Sequence, residues 1–388
     1  MPTYLAPGVY VEEVPSAVKP IEGVGTSTAG FAGIVEDSVT LSDELGGGQV
    51  SFAEKKAKHV TSWDDFKATF GDFQAGNETL AHAVYGFFDN GGTSCYVVRV
   101  ANKDAEAAEY GEALDTFKEI DEIAIVAIPG ATDGGVQNAI LSHCTNMGDR
   151  FAILDGKDEV DESAIDKAAI SGANYSDKGY GALYFPWIEV TNPLSTGDDD
   201  KTTYAPPSGH IAGIYASTDA TRGVHKAPAN VAVRGASDVK YRLGRAKQEE
   251  LNPAGVNLIR NFNGTTRVWG ARTWSEDPEW KYITARRLFN FLSESIDEGT
   301  RWVVFEPNNQ SLWQKIRRNV SAFLTNVWRS GALLGASPED AFYVKCDAQT
   351  NPESVRKAGQ VVTEIGVRLV DPAEFVIFRI QQSAGSPA

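Results

Sequence analysis

The sequence has few cysteines and no long apolar run. Its three cysteines, Cys95, Cys144 and Cys346, are odd in number, lie far apart and form no Cys-x-x-Cys pair. Neither a disulfide framework nor a zinc knuckle is therefore indicated. No stretch approaches the ~18 to 20 apolar residues of a membrane helix, and the start, MPTYLAPGVYVEE, lacks the features of a signal peptide. We expect reduced cysteines, no membrane insertion and folding in the cytoplasm.

Catalytic patterns are also scarce. The best constellation combines Asp155 after a predicted strand, His210 in SGHIAG, and either Ser208 or Ser217. No Gly-x-Ser-x-Gly turn surrounds either serine, and a lone histidine at a helix start is usually a packing or capping residue. The pattern favours a structural histidine and no enzyme activity, and a cryptic serine hydrolase is the alternative.

Patterns for ligands are weak as well. In PGATDGGVQNA, the glycines Gly130, Gly134 and Gly135 precede a predicted helix whose amides could attract phosphate. Their spacing matches no nucleotide-binding motif, so a tight turn is favoured. The five histidines show no metal-ligand spacing, and the acidic run at residues 198–200 lacks the alternation of a calcium loop. Arginines interleave with tryptophans between residues 267 and 287, which packing explains as well as nucleic acid would. We expect no cofactor, no metal and no nucleic acid partner.

Charge is divided unevenly along the chain. Residues 1–200 carry 12 Lys and Arg against 34 Asp and Glu, a net charge of −22, whereas residues 201–388 carry 24 against 18, a net charge of +6. Strong acidity disfavours nucleic acid or an anionic membrane as a partner of the first half. A mildly basic second half suits an acidic protein partner.

Apolar runs alternate with helical patterns from about Ile123. Strands are predicted at 123–128, 151–154 and 182–185, and helices at 136–147 and 161–173. This order is typical of a mostly parallel sheet covered by helices. The composition becomes basic and rich in tryptophan after residue 256, so a domain boundary is predicted near Pro253.

The segment from Arg301 to Asp347 predicts a binding surface. It joins a predicted buried strand in RWVVFE, an amphipathic helix and a second strand. Apolar residues recur every three or four positions from Leu312 to Trp328 and form one face. On the same helical wheel, Lys315, Arg318 and Arg329 group on the opposite side. The basic side is either an ordinary solvated face or an interface.

Both ends of the chain read as extended pieces. The residues Gly8, Val9, Tyr10, Val11, Glu12, Glu13 and Val14 lie among Pro2, Pro7, Pro15 and Pro20, which keep them from joining a helix. The residues Phe375, Val376, Ile377, Phe378, Arg379 and Ile380 form a run of strand-forming residues. Terminal strands complete either the chain's own sheet or a neighbour's sheet.

Several blocks resemble the tail sheath family of contractile phage tails, phage-tail-like bacteriocins and extracellular contractile injection systems. They are PPSGHIAGIYASTDATRGVHKAPAN, LNPAGVNLIRNF, VWGARTWSEDPEWKYITARRLFNFLSESI, VVFEPNN and the opening APGVYVEEVPSAVKPIEGVGTSTAGFAGI. The resemblance implies an α/β fold: a subtilisin-like domain without protease activity at 21–255, a smaller α+β domain at 256–372, and extended strand arms at 1–20 and 373–388.

The resemblance also implies a function. Such a chain would be a structural protomer of a helical sheath, built as stacked hexameric rings around an inner tube, with baseplate and terminator proteins at its ends. Its arms, Gly8–Val14 and Phe375–Ile380, would pair with neighbouring protomers. Lys315, Arg318 and Arg329 would face the tube, an assignment that comes from the helical wheel. A shell or scaffold protein of another assembly is the alternative.

Overall fold

A computed structural model of the protein describes residues 20–41, 56–101, 105–197 and 201–377. These residues divide into two compact units. The larger unit consists of residues 24–294 and 369–377, and the smaller unit consists of residues 20–23 and 295–368. The predicted N-terminal arm at Gly8–Val14 and the acidic run at 198–200 lie outside the described residues.

The larger unit contains strands and helices in alternation. Its described strands are β1 (Ala29–Ile34), β2 (Lys58–Val60), β3 (Cys95–Val100), β4 (Ile125–Ala127), β5 (Phe151–Asp155), β6 (Gly181–Phe185), β7 (Ile188–Thr191), β8 (Thr202–Ala205), β9 (Ala236–Val239), β10 (Val256–Phe262) and β11 (Thr265–Val268). Its described helices are α1 (Trp63–Phe70), α2 (Glu78–Asp89), α3 (Ala107–Asp115), α4 (Gly134–Met147), α5 (Lys167–Ile170), α6 (Ser208–Arg222), α7 (Arg245–Leu251) and the first part of α8 (Ile283–Thr300).

Eight of these strands form one sheet in the order β11-β10-β6-β5-β4-β1-β3-β2. The strands from β10 to β3 run parallel, and the two edge strands run antiparallel to their neighbours. Successive strand residues point to opposite faces. Phe31 therefore packs in the apolar core on one face of the sheet and Ala32 in the core on the other. A second sheet has the order β8-β7-β9.

The predicted alternation of strands and helices is confirmed at β4, α4, β5 and β6. The helix predicted at 161–173 is wrong. Residues Glu162–Ala164 form a 3-10 turn and only α5 follows as an α-helix. Asp161 and Asp166 explain the interruption, because each carboxylate accepts an amide two or three residues ahead and so begins a new turn.

The change in composition near Pro253 does not coincide with the division between the units. The strand that follows this proline, β10, lies inside the large sheet and pairs with β6 from Val256 to Leu258. Residues 256–294 therefore belong to the larger unit. A basic, tryptophan-rich composition is compatible with a sheet edge and its covering helix.

The smaller unit contains α9 (Gln310–Arg329), α10 (Pro338–Ala341), β12 (Phe342–Lys345), α11 (Glu353–Lys357) and β13 (Glu364–Val367). The amphipathic helix and the strand after it are thus confirmed. β12 and β13 are antiparallel, with Phe342 opposite Val367, and form a two-stranded sheet. This content makes the smaller unit a separate α+β domain.

The buried strand predicted in RWVVFE is wrong. Residues Arg301–Val303 form a 3-10 turn, and the amide of Glu306 donates to the carbonyl of Val303 at 3.1 Å. Within this second turn Phe305 has a φ of 68°, and its side chain is fully exposed, at 102%. A turn residue with a positive φ is usually glycine. Because phenylalanine occupies this position, the sequence carries no turn signal and its apolar residues resemble a strand.

Candidate interaction surfaces

The helix α9 has one buried and one open side. Asn309 caps its start, since the side chain accepts the amide of Leu312 at 3.1 Å. The predicted apolar face is buried except for Trp328, which is half-buried and donates its indole N–H to the carbonyl of Gly335 at 3.0 Å. The buried apolar residues are Leu312, Trp313, Ile316, Val320, Phe323, Leu324 and Val327.

The predicted cations lie on the open side of α9 to different degrees. Arg318 and Arg329 are exposed, whereas Lys315 is half-buried. Arg317 is also exposed, although the helical wheel places it beside the apolar face and the sequence prediction left it out. Eleven residues separate Arg318 from Arg329, which is about 16 Å along a helix. The basic side is therefore a series of separated charges.

Sequence reasoning missed a buried amide on α9. The side chain of Asn319 is 1% exposed, and neither its oxygen nor its nitrogen has a hydrogen-bond partner among the described residues. An unpaired buried amide costs about 1–3 kcal/mol. An asparagine three or four residues from apolar positions on both sides is the sequence signal that could have found it.

The described part of the predicted C-terminal arm is exposed to solvent. Phe375, Val376 and Ile377 are 71%, 70% and 78% exposed, and these three residues form no strand in the structure. Residues 378–380 lie outside the described residues. Three consecutive exposed apolar residues present an apolar edge to water.

Glu374, just before this segment, is held by four side chains of the larger unit. Arg272 donates two hydrogen bonds of 2.8 Å, one to each carboxylate oxygen. Asn252 donates at 2.6 Å and the Tyr282 hydroxyl at 3.0 Å, and Lys281 lies 3.8 Å away. Burial opposes the charge of Glu374, but the hydrogen bonds from Arg272 and Asn252 outweigh it and hold the pKa of Glu374 below its ordinary value. The carboxylate is therefore ionised and fixed.

The structure brings Asp155 and Ser208 together, without a histidine between them. The Ser208 hydroxyl donates directly to Asp155 at 2.7 Å, and the amides of Ser208 and Gly130 donate at 2.8 and 3.0 Å. Both side chains are buried. Burial raises the pKa of Asp155 to about 6, although these hydrogen bonds lower it. The arrangement ties β5 to the start of α6, and it places no histidine against Ser208.

His210 is a packing residue between α2 and α6. It is 2% exposed, and a Cβ added at Gly86 would lie 2.3 Å from its ring. Burial lowers the pKa of His210 to about 3, so the ring is neutral. The other serine considered, Ser217, donates to the backbone carbonyl of Ile214 at 3.2 Å.

In the glycine-rich turn before α4, backbone amides already donate to a side chain of the same turn. Asp133 accepts the amides of Gly135 and Val136 at 2.8 and 3.2 Å. This cap uses the amides that would otherwise attract phosphate. Within the described ranges, no cluster of three or more His, Cys, Asp or Glu side chains could hold a metal ion, and no described helix has the length and apolar character to cross a membrane.

Comparisons with known proteins decide the family. The model of the phage tail sheath protein central domain matches residues 103–274, and the model of the phage tail sheath C-terminal domain matches residues 275–383. A solved sheath of the extracellular contractile injection system PVC, in its contracted state, is 30% identical. It aligns over 99% of both chains with a TM-score of 0.78. The chain belongs to the contractile tail sheath family.

Two further relatives of this sheath protein agree. The helical sheath of the anti-feeding prophage, also solved in its contracted state, is 30% identical over 98% of this chain and all of that chain, with a TM-score of 0.76. A putative prophage major tail sheath protein of Pseudomonas aeruginosa is 27% identical over 255 residues, which are 63% of this chain and 62% of that protein. Members of this family are structural proteins and not enzymes, which agrees with the buried Ser208.

Proposed function

We propose that this sheath protein polymerises as a helical cylinder around an inner tube, and that the cylinder contracts from a metastable extended state to drive the tube through a target envelope. The alignment of nearly the whole chain with a contracted sheath carries this proposal. Its larger unit, with helices on both faces of a parallel sheet, fits a subtilisin-like domain that has lost protease activity.

The arms supply the permanent contacts between copies. Strand pairing between chains satisfies backbone donors and acceptors in a continuous ladder. The exposed residues Phe375–Ile377 are the described part of one such strand, and Gly8–Val14 is the other. The two-stranded sheet of β12 and β13 has edges that can accept strands, because neither edge is paired within the described residues.

Globular faces supply the contacts that change. Contraction buries surface between copies, and the free energy of that burial drives the movement. No nucleotide site is needed for such a drive. Contacts that do not close on themselves generate a helical array, here stacked rings of six copies.

Other partners follow from this role. Lys315, Arg318 and Arg329 face an acidic surface of the tube, and baseplate and terminator proteins cap the ends of the cylinder. Assembly takes place in the cytoplasm, and the finished sheath is part of a phage tail or a released particle.

Negative-stain electron microscopy of the purified protein tests the proposal. We expect hollow, transversely striated cylinders. Closed shells or sheets would instead favour a scaffold of another assembly.

Two truncations test the arms. Deleting residues 1–14, or ending the chain after Pro372, should leave a folded protein that forms no cylinders. The melting temperature of each truncated protein controls for folding. Cylinders of normal length from either one would refute the role of that arm.

Reversing three charges tests the tube-facing side. The triple change Lys315→Glu, Arg318→Glu and Arg329→Glu should weaken co-sedimentation with tubes, and the loss should be smaller at high salt. The same three substitutions should leave cylinders formed without a tube unaffected. Normal docking by the triple variant would contradict the assignment.

A further inference from the structure

Glu374 is the last residue of the described chain that is not exposed. Glu374 is largely buried, with a side-chain exposure of 19%, and the next three residues are exposed. The described partners of Glu374 are Arg272, Asn252, Tyr282 and Lys281. All four belong to the larger unit, which also contains residues 369–377. The segment therefore leaves the larger unit at one defined residue.

The contacts of Glu374 fix direction as well as position. The two bonds from Arg272 are parallel and bidentate, a geometry that holds a carboxylate in one plane. Asn252 and Tyr282 donate to different oxygens of the same carboxylate. Arg272 itself is held, because its side chain is 11% exposed and its amide donates to the side chain of Asn257 at 2.7 Å. Four donors on one carboxylate leave it little freedom to turn.

A fixed carboxylate here has a consequence for strand pairing. A strand that slips by one residue turns every side chain to the other face. Holding the residue before Phe375 therefore sets which of the following side chains face a partner. Three exposed apolar residues follow Glu374, and covering them with a partner would remove their apolar surface from water.

We propose that Glu374 is a positioning residue that fixes the root of the C-terminal arm, so that Phe375–Ile377 meets a second copy of this chain in one register. This inference rests on the proposed function, since it assigns the arm to a neighbouring copy. It adds that the arm can change direction only after Glu374, and that residues 369–374 move with the larger unit.

Mobility of the arm in the unassembled protein gives the first test. The native cysteines are buried, so a spin label attached through Val376→Cys reports on the exposed arm alone. Glu374→Gln keeps the shape of the side chain and removes its charge. We expect the label to tumble faster in the Glu374→Gln protein than in the protein with Glu374 intact. Equal tumbling in both proteins would show that Glu374 does not hold the arm in place.

Assembly gives the second test. Glu374→Gln should raise the protein concentration needed for cylinders about tenfold or more, since charged hydrogen bonds are about twice as strong as neutral ones. Glu353→Gln is the matched control. It makes the same chemical change in an ion pair with Lys357 that is exposed on both sides, and it should assemble like the unaltered protein.

A double-mutant cycle tests whether Glu374→Gln impairs assembly by removing the interaction between Glu374 and Arg272. Arg272→Gln should impair assembly, and combining it with Glu374→Gln should add little, because both changes remove one interaction. If the effects of the two substitutions on assembly add fully, the interaction between these residues is not the cause of the impairment.

The truncation after Pro372 distinguishes the function of the arm from the positioning role of Glu374. If the truncated protein fails to form cylinders while Glu374→Gln forms them at the usual concentration, the arm stands and the positioning role of Glu374 falls. If the truncated protein forms normal cylinders, the arm function itself is refuted, whatever the spin label reports.

Discussion

The helix crossing of α2 and α6 offers a sharp stability prediction, because glycine lets the two backbones touch. A Cβ added at Gly209 would lie 2.2 Å from the carbonyl oxygen of Ala83 and 2.3 Å from its Cα. Both atoms are backbone, so no side chain can rotate away. Restoring a contact of about 3.5 Å requires the helices to separate by roughly 1 Å or more.

The expected cost follows from two opposing effects. Overpacking a core typically costs ~1–3 kcal/mol, and a clash with fixed backbone belongs at the upper end. Alanine gains at most ~1 kcal/mol over glycine in a helix. Gly209→Ala should therefore lower the free energy of unfolding by about 2 kcal/mol.

The chain offers a matched control in α3. A Cβ at Gly111 would meet no atom within 4 Å, so Gly111→Ala should raise stability by about 0.5–1 kcal/mol. The two variants should then differ by about 3 kcal/mol, or by roughly 6–12 °C in melting temperature. Thermal unfolding followed by tryptophan fluorescence measures this difference. A Gly209→Ala protein that melts at or above the unaltered protein would refute the packing argument.

Three other substitutions isolate single features. Burial lowers the pKa of His210 to about 3, so the unfolded chain, with a pKa near 6.5, binds this proton first and stability falls as the pH drops below 6.5. His210→Gln should therefore lose about 2 kcal/mol less than the unaltered protein between pH 7 and pH 5 in urea titrations, and equal losses would contradict a neutral buried ring. Asn319→Leu removes an unpartnered buried amide and should raise stability by about 1–2 kcal/mol in the same assay, whereas a loss would indicate a hidden partner. Phe305→Asn places a residue that tolerates a left-handed backbone in an exposed turn and should raise the free energy of unfolding by about 0.5–1 kcal/mol; a decrease would show that the phenylalanine ring stabilises the fold.

The parts of the fold that could be predicted are those where local pattern and packing agree. Strand β5 is a continuous buried run in the interior of the large sheet, and α4 has a helical period and packs against β5. The helix expected at 161–173 failed because two aspartates began new turns inside a helical pattern. The RWVVFE segment failed because a left-handed Phe305 cannot be distinguished from a strand residue by its apolar character.

The candidate surfaces were predictable only in part, because distant residues complete them. The open side of α9 follows from spacing within one helix. The anchor of Glu374 does not, since Arg272 lies 102 positions away in the sequence and no local pattern links the two. The proposed role of Phe375–Ile377 depends on a second chain, so no pattern within its own sequence marks a partner for it.

The smaller unit, whose helix α9 we propose to face the tube, holds little of the net positive charge in the second half of the chain. The smaller unit, counted over Ser295–Arg368, carries 9 Lys and Arg against 8 Asp and Glu. The basic excess lies instead in residues 201–294, with 14 against 8. Several of those cations already have partners in the same unit, among them Arg287, which forms a buried pair with Asp219 at 2.6 Å. Attraction of α9 to an acidic tube would therefore depend on where its few cations stand. Reversing all three charges should weaken docking, whereas changing the net charge elsewhere on the smaller unit should not.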